Sequence, residues 1–91
     1  MYKLDRSEKL KKVLNKLFKK DKTRYEVTFK KIDEVLKEYT PDRYKNLSHD
    51  MKAFKRVHID SHFVLIFKVD EKNRVIKFED LQHHDFIYGR K

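Results

Sequence analysis

The apolar residues of the first third of the chain recur at the spacing of an amphipathic α-helix. After Ser7, a favoured N-cap residue, they follow the i, i+3, i+4, i+7, i+8 pattern that gives a helix one hydrophobic face. The residues of this stripe are Leu10, Val13, Leu14, Leu17 and Phe18. Lysines fill most of the opposite face, and Asp21-Lys22 provides the break that ends the helix.

A second amphipathic helix is predicted to begin at Thr23 and to end before Pro41. Thr23 and Glu26 form a capping-box pattern, in which each side chain accepts a backbone amide at the helix start. The apolar face, at steps of four and three residues, consists of Tyr25, Phe29, Ile32, Leu36 and Tyr39. Pro41 ends the helix because the residue before a proline is displaced from the α region. The short connection predicts an antiparallel helical hairpin with both apolar stripes in the core.

The second half of the chain has strand-like patterns. Residues 53–59 alternate, with Phe54, Arg56 and His58 on one face. Residues 63–69, FVLIFKV, are nearly all apolar, which is typical of a central strand. Turns are predicted at Asp60-Ser61 and at residues 70–73, a last strand at residues 74–80, and a short strand at residues 2–4.

These elements follow one another in the order β-α-α-β-β-β. The 91 residues are enough for one small domain, spanning residues 1–91. The pattern predicts an α+β domain in which the helical hairpin packs on one face of a small, mainly antiparallel sheet. The other face of the sheet is then free to bind a partner.

The charge of the chain is strongly positive. It contains 24 Lys and Arg against 15 Asp and Glu, a formal net charge of +9. An excess of this kind is the electrostatic footprint of a protein that binds a polyanion, such as nucleic acid or an acidic protein. The alternative is a lysine-rich solvated surface of the kind found in heat-adapted proteins. We favour the interpretation as a polyanion-binding protein, because basic residues are in excess and are not balanced by acidic ones.

The composition also restricts the cellular compartment in which the protein can work and the kinds of site that it can contain. There is no cysteine, which excludes disulfides and thiolate metal sites and fits an intracellular protein. The first residues lack an apolar core of signal-peptide length, and no apolar run approaches the ~20 residues that span a bilayer. We therefore expect a cytoplasmic protein with no membrane partner.

Four of the five histidines lie at the ends of predicted strands. His58 and His62 bracket the first turn of the sheet, and His83 and His84 follow the last strand. An imidazole exchanges protons near neutral pH, with an unperturbed pKa of about 6.5. In a basic protein this arrangement indicates RNA cleavage, although a basic binding module with incidental histidines fits as well. Four residues along a strand span about 13 Å, too far for His58 and His62 to share one metal ion unless the turn folds His62 back, so we predict no metal site. We also predict no cofactor.

Three pieces of the second half resemble a known family. They are Asn46-Leu47 with the turn that leads to Ala53, the stretch VHIDSHFVLIFKVD, and the ending HHDFIY. On these pieces the sequence resembles the RelE superfamily of small toxins, and it is most similar to the YafQ-like branch. The resemblance implies a ribosome-dependent endoribonuclease, or mRNA interferase, of a type II toxin–antitoxin system. Such a toxin inhibits translation by cutting mRNA in the ribosomal decoding site, and an acidic antitoxin wraps it.

The resemblance also implies roles for single residues. His58 matches the strand histidine of the family and His84 its C-terminal histidine, which implies general acid–base work for both. Tyr88 matches the terminal aromatic residue and Phe63 the aromatic residue after the turn. Aromatic side chains in these places stack on a splayed RNA base.

The chain departs from the family pattern in the following places. His62 occupies a carboxylate position, and Asp80 stands where the family usually has an arginine on the scissile phosphate. Lys45 occupies the position of a loop histidine, for which the nearby His49 is a substitute. Because Arg56 shares the strand face of His58, we take it as the replacement for the missing arginine. Weaker candidates for the same role are Lys52 and Arg90.

The chemistry needs no metal, because RNA carries its own nucleophile, the 2′-hydroxyl. A base removes the hydroxyl proton, cations stabilise the crowded phosphate, and an acid protonates the leaving 5′-oxygen. His58 and His84 are the candidates for base and acid, in either assignment. Asp60 or Asp85 is a candidate for orienting an imidazole ring.

Two other functions stay open from the sequence. One is the ParE-like branch of the same fold, which poisons DNA gyrase and does not rely on a terminal histidine and aromatic residue. The other is a degenerate relative that binds an antitoxin or RNA without cutting. Asp80 is the residue that points to this second alternative.

Overall fold

The computed structural model describes residues 1–47 and 53–84 of the chain. The elements are β1 Lys3–Arg6, α1 Glu8–Lys20, α2 Lys22–Glu38, β2 Phe54–His58, β3 Phe63–Asp70 and β4 Val75–His83. They form one four-stranded sheet in the order β1-β4-β3-β2. Only β1 and β4 run parallel, and the other neighbours are antiparallel. The α+β fold, the element order and the mainly antiparallel sheet are therefore confirmed.

Ser7 caps α1 as the sequence predicts, and it also ties the helix to the sheet. Its hydroxyl oxygen accepts the amide of Leu10 at 3.0 Å, which satisfies one of the free amides of the first turn. The same hydroxyl donates to the carbonyl oxygen of Glu79 at 2.5 Å. One side chain thus fixes where α1 begins and where this beginning lies along β4.

The start of α2 differs from the capping-box prediction. Asp21 is the N-cap, with its carboxylate accepting the amide of Arg24 at 3.1 Å, and the helix begins at Lys22. Thr23 therefore lies inside the first turn, and the prediction that it caps the helix is wrong. Asp21 has a non-helical backbone (φ −149°, ψ 74°) and also ends α1, so a single residue joins the two helices. The end of α2 at Glu38 agrees with the stop expected before Pro41.

The helical hairpin covers one face of the sheet. The core that it forms includes Leu10, Leu14, Ile32 and Val35 from the helices and Leu65, Phe67, Ile76 and Phe78 from the sheet. Thr28 is also buried, and its hydroxyl donates to the carbonyl oxygen of Arg24 at 2.7 Å. Phe18 is half exposed, so its assignment to the core is wrong. It lies near the end of α1, where its ring meets Tyr25 edge-on.

A β-bulge in β4 decides which side chains face the helices. Phe67 pairs with Phe78, but its neighbour Ile66 pairs with Asp80, so Glu79 is an extra residue. If Glu79 occupied a regular paired position, Phe78 and Asp80 would lie on the same face of the sheet. With the bulge, Phe78 faces the helices and Asp80 faces the opposite side. The strand also runs to His83, three residues past the predicted end, which places His83 inside β4.

Neither helix of the described part of the chain is long and apolar enough to cross a membrane.

Candidate functional site

The strand pairing arranges the polar candidates in rows on the face turned away from the helices, which we call the distal face. One row is His58, Val64 and Gln82, and the next is Arg56, Ile66 and Asp80. Neighbouring rows are two residues apart on each strand, a distance of about 6.6 Å. The distal face therefore holds a row with a histidine beside a row with an arginine.

His58 and His84 meet on the distal face. Their ring centroids are 5.5 Å apart, with planes tilted by 33°. His84 directly follows β4, and its amide donates to the carbonyl oxygen of His62 at 2.7 Å. This hydrogen bond continues the β3–β4 pairing by one step, so the backbone holds His84 next to the row of His58. The sequence predicted both rings at strand ends, and the fold brings them together.

His83 lies on the other face of the sheet. It pairs with Phe63, whose ring is 5.4 Å from the imidazole and lies under the Arg24 guanidinium at 4.3 Å. The ring of His62, an exposed turn residue, is 6.1 Å from that of His83. Phe63, predicted to stack on RNA, is thus half-buried against α2 and is not brought together with His58 and His84.

Asp60 holds the β2–β3 turn. Its carboxylate accepts the amides of His62 at 2.8 Å and Phe63 at 3.1 Å, and the Nε of Arg24 at 3.3 Å. Burial by itself would raise the pKa of Asp60, but these amides and the Arg24 charge hold it below its usual value. The carboxylate therefore fixes the backbone between His58 and His62, whereas the sequence had suggested it for orienting an imidazole.

We expect Asp60→Asn to lower the free energy of unfolding by about 1 kcal/mol at pH 7. The amide keeps an acceptor oxygen but loses the charge that pairs with Arg24. Because the folded pKa lies below the unfolded value of about 3.9, this stabilisation is fully present above about pH 5. It is lost as the pH falls through the folded pKa.

Urea denaturation of the two proteins at pH 7 and at pH 3 measures this effect. The difference between wild type and Asp60→Asn should shrink at the lower pH. A difference that is equal at both pH values would contradict the role given to the carboxylate charge.

Asp80 is buried on the distal face, with 8% of its surface exposed. Its carboxylate accepts the amide of Leu81 at 2.9 Å, the side-chain amide of Gln82, and the ammonium of Lys9 at 3.0 Å. A buried carboxylate requires such partners to offset its lost hydration. Sequence reasoning missed Lys9 and Gln82, because the α1 contact joins residues at opposite ends of the chain.

Arg56 lies across Ile66 from Asp80 and is held by a neighbouring segment. Its backbone amide donates to the carbonyl oxygen of Lys45 at 3.0 Å, and its Nε donates to that of Asn46 at 3.1 Å. Lys45 is exposed beside this contact. The arginine thus lies one row away from His58 with its guanidinium anchored at one end.

The centre of the distal face is less open than the sequence suggested. Val64 has no exposed surface and Ile66 has 6%, so the expectation that the whole face is free is wrong. His58 is exposed and Arg56 partly so. Accessible polar groups therefore border an apolar centre.

Several predicted residues lie outside the described residues: His49, Lys52, Asp85, Tyr88 and Arg90. Their assigned roles stay predictions. Within residues 1–47 and 53–84, no three His, Asp or Glu side chains are arranged to hold a metal ion.

Comparison with known proteins identifies relatives along the whole chain. No family model matches it. A protein of Methanocaldococcus jannaschii, provisionally named toxin RelE4, is 46% identical over 91 residues, which is 100% of this chain and 95% of that protein.

Solved structures of low sequence identity share the fold. The YoeB/ParE toxin from Agrobacterium tumefaciens matches with a TM-score of 0.77 at 13% identity, over 90% of this chain and 98% of that one. A chain of the E. coli RelBE toxin–antitoxin complex matches with 0.72 at 24%, over 89% and 94%. YafQ from E. coli matches with 0.66 at 18%, over 98% and 100%.

Proposed function

Because this chain belongs to the RelE/ParE superfamily of toxins, we propose that it is an endoribonuclease toxin that cleaves mRNA on the ribosome. The observation that carries the proposal is the pair of imidazole rings, His58 and His84, 5.5 Å apart on the distal face. Arg56 lies one row away on the same face. Two proton-exchanging groups and a cation are what metal-independent RNA cleavage requires.

In the proposed reaction one imidazole removes the proton of a 2′-hydroxyl. The 2′-oxygen attacks the adjacent phosphorus, and the bond from phosphorus to the 5′-oxygen breaks. The second imidazole, in its protonated form, gives its proton to that 5′-oxygen. The products are a 2′,3′-cyclic phosphate and a free 5′-hydroxyl, and the two histidines have exchanged protonation states.

Arg56 is proposed to hold the phosphate on which negative charge accumulates. A guanidinium is always charged and offers several N–H donors in a fixed plane. The Nε of Arg56 donates to the carbonyl oxygen of Asn46, which holds the guanidinium in place. Tyr88, outside the described residues, is proposed to stack on the exposed base, and Lys45, His49 and Lys52 to bind the RNA backbone.

The proposed partners follow from charge and from the relatives. In the E. coli RelBE complex a related fold is bound to an antitoxin. With a net charge of +9, this chain is suited to an acidic antitoxin and to ribosomal RNA. The lysine-rich face of α1 is the candidate contact with ribosomal RNA. The site of action would be the cytoplasm, where ribosomes are.

The test is a cleavage assay with purified protein and programmed ribosomes. We expect cleavage of the mRNA with a 2′,3′-cyclic phosphate on the upstream product, and no cleavage when the 2′-hydroxyl at that position is methylated. The methylated mRNA is the control, since it removes only the nucleophile. An unchanged mRNA would contradict the proposal, and inhibition of gyrase supercoiling by the same protein would favour the ParE-like alternative.

A second candidate function is antitoxin or RNA binding without cleavage. The observation that favours it is Asp80, a carboxylate on the distal face where the family usually has an arginine. This alternative predicts ribosome binding without turnover, and partial recovery of cleavage in Asp80→Arg.

A further inference from the structure

Lys9 is the lysine of α1 that is attached to the sheet. Its ammonium lies 3.0 Å from the carboxylate of Asp80, whereas the ammonium of Lys11 bonds to Glu8 of the same helix. The Lys9 side chain remains 66% exposed, while that of Asp80 is 11% exposed. The pair therefore has one end buried in the sheet and the other end in solvent.

The geometry around β4 brings Lys9 to the distal face. β1 pairs with β4 only as far as Phe78, so beyond Phe78 that edge of β4 is not paired with β1. Ser7 fixes the start of α1 at this edge through the carbonyl oxygen of Glu79. Two residues later, Lys9 reaches past the edge to Asp80, whose face is set by the bulge.

Asp80 is held from its own strand. The amide of Leu81 bonds to one carboxylate oxygen, and the side-chain amide of Gln82 and the Lys9 ammonium bond to the other. Because two donors from β4 fix the carboxylate, the carboxylate in turn fixes where the ammonium lies. A lysine has three N–H donors, so two are left for another anion.

Asp80 and Arg56 occupy the two ends of one row across Ile66. Their Cα atoms are separated by two strand spacings, about 10 Å. A phosphate bound between the two ends of this row would meet Arg56 on the β2 side. On the β4 side it would meet a bare carboxylate and be repelled if Lys9 were absent. With Lys9 in place, the same side offers an ammonium.

We propose that Lys9 binds the RNA phosphate opposite Arg56, and that Asp80 is the residue that positions Lys9. The inference rests on the proposed function and adds to it a cation supplied by a helix. It also gives the buried carboxylate a role in a site for a negatively charged substrate. The competing interpretation is a structural ion pair that attaches α1 to the sheet and does nothing for the RNA.

The first experiment removes the lysine. Single-turnover cleavage on saturating programmed ribosomes is compared for wild type, Lys9→Met, Lys9→Arg and the control Lys72→Met, an exposed lysine of the β3–β4 turn. We expect Lys9→Met to lower the rate at least about tenfold, and Lys9→Arg and Lys72→Met to keep it within about threefold. Thermal unfolding of each variant shows whether it is folded. A Lys9→Met rate equal to that of wild type would overturn the inference.

The second experiment removes the carboxylate charge of Asp80, which holds Lys9 in place, and keeps the lysine. Asp80→Asn raises the net charge by one, so overall electrostatics alone would strengthen binding to the ribosome. The positioning role predicts the opposite sign for catalysis: a rate several-fold lower at saturation. It also predicts that the double variant Lys9→Met/Asp80→Asn is no slower than Lys9→Met alone. An Asp80→Asn protein as fast as wild type would overturn the positioning role.

A failure of the proposed function can be told apart from a failure of this inference. If wild type cleaves no mRNA, the proposed function fails, and Lys9 is judged by binding to ribosomes that carry a 2′-O-methylated mRNA. Weaker binding by both Lys9→Met and Asp80→Asn, the latter despite its added charge, supports the contact. Binding by Asp80→Asn that equals or exceeds wild type overturns it.

Discussion

Replacing His84 by alanine is expected to lower the rate of mRNA cleavage on programmed ribosomes by about 10²–10⁴-fold, and His58→Ala by a similar factor. If one ring is the base and the other the acid, each substitution removes one of the two proton transfers. The rings are 5.5 Å apart on one face, so they can act on the same phosphate from two sides. Single-turnover rates at saturating ribosomes measure the loss without a contribution from binding.

The double variant tests whether the two rings act as a unit. Residues that share one reaction are strongly non-additive, so His58→Ala/His84→Ala should be little slower than the slower single variant. Losses that simply multiply would indicate independent roles, such as binding at separate places, and would contradict the acid–base pair.

His83 provides the matched control, since it is the chain neighbour of His84. It pairs with Phe63 on the helix-covered face, and His83→Ala should retain the wild-type rate within about threefold. A loss in His83→Ala as large as that in His84→Ala would mean that the separation of the two faces does not decide which histidine acts.

The periodicity of the sequence was sufficient for the element order. The stripe that begins at Leu10 and the apolar run from Phe63 identified α1 and the central strand, because burial dictates those patterns directly. The cap of α2 was harder. Asp21 and Thr23 are both favoured N-cap residues, and the choice of Asp21 follows from the one-residue connection that α1 leaves.

The sequence did not predict on which face of the sheet the residues of β4 after Phe78 lie. Strict alternation from Phe78 would put Asp80 and Gln82 with the core and His83 on the distal face. The break was visible in the apolar residues, since the alternation of Ile76 and Phe78 resumes at Leu81, one residue late. Three apolar positions, Ile76, Phe78 and Leu81, do not locate a bulge unless the register of the partner strand is also known.

The candidate site was predicted in part. The alternation of β2 correctly placed Arg56 and His58 on one face, and this is the firmest local signal in the site. The contact of Lys9 with Asp80 joins distant parts of the chain, so no local pattern could predict it. The roles of His58, His84 and Tyr88 come from the family resemblance and stay predictions.

Deletion of Glu79 is expected to lower the free energy of unfolding by no more than about 2 kcal/mol and to leave mRNA cleavage in place. The deletion removes the extra residue, so Phe78 still pairs with Phe67 and Asp80 with Ile66, and every residue after Phe78 keeps its face. The main loss is the hydrogen bond from the Ser7 hydroxyl to the Glu79 carbonyl, about 0.5–1.5 kcal/mol. His84 would stay next to His58.

Circular dichroism with urea denaturation measures this effect, and Glu79→Ala is its control. The alanine variant keeps the extra residue and the carbonyl that Ser7 uses, so its free energy of unfolding should stay within about 1 kcal/mol of wild type. If the deletion variant lost its fold, or stayed folded with cleavage as low as that of His84→Ala, the pairing of Phe78 with Phe67 and of Asp80 with Ile66 would not be what places His84 on the distal face.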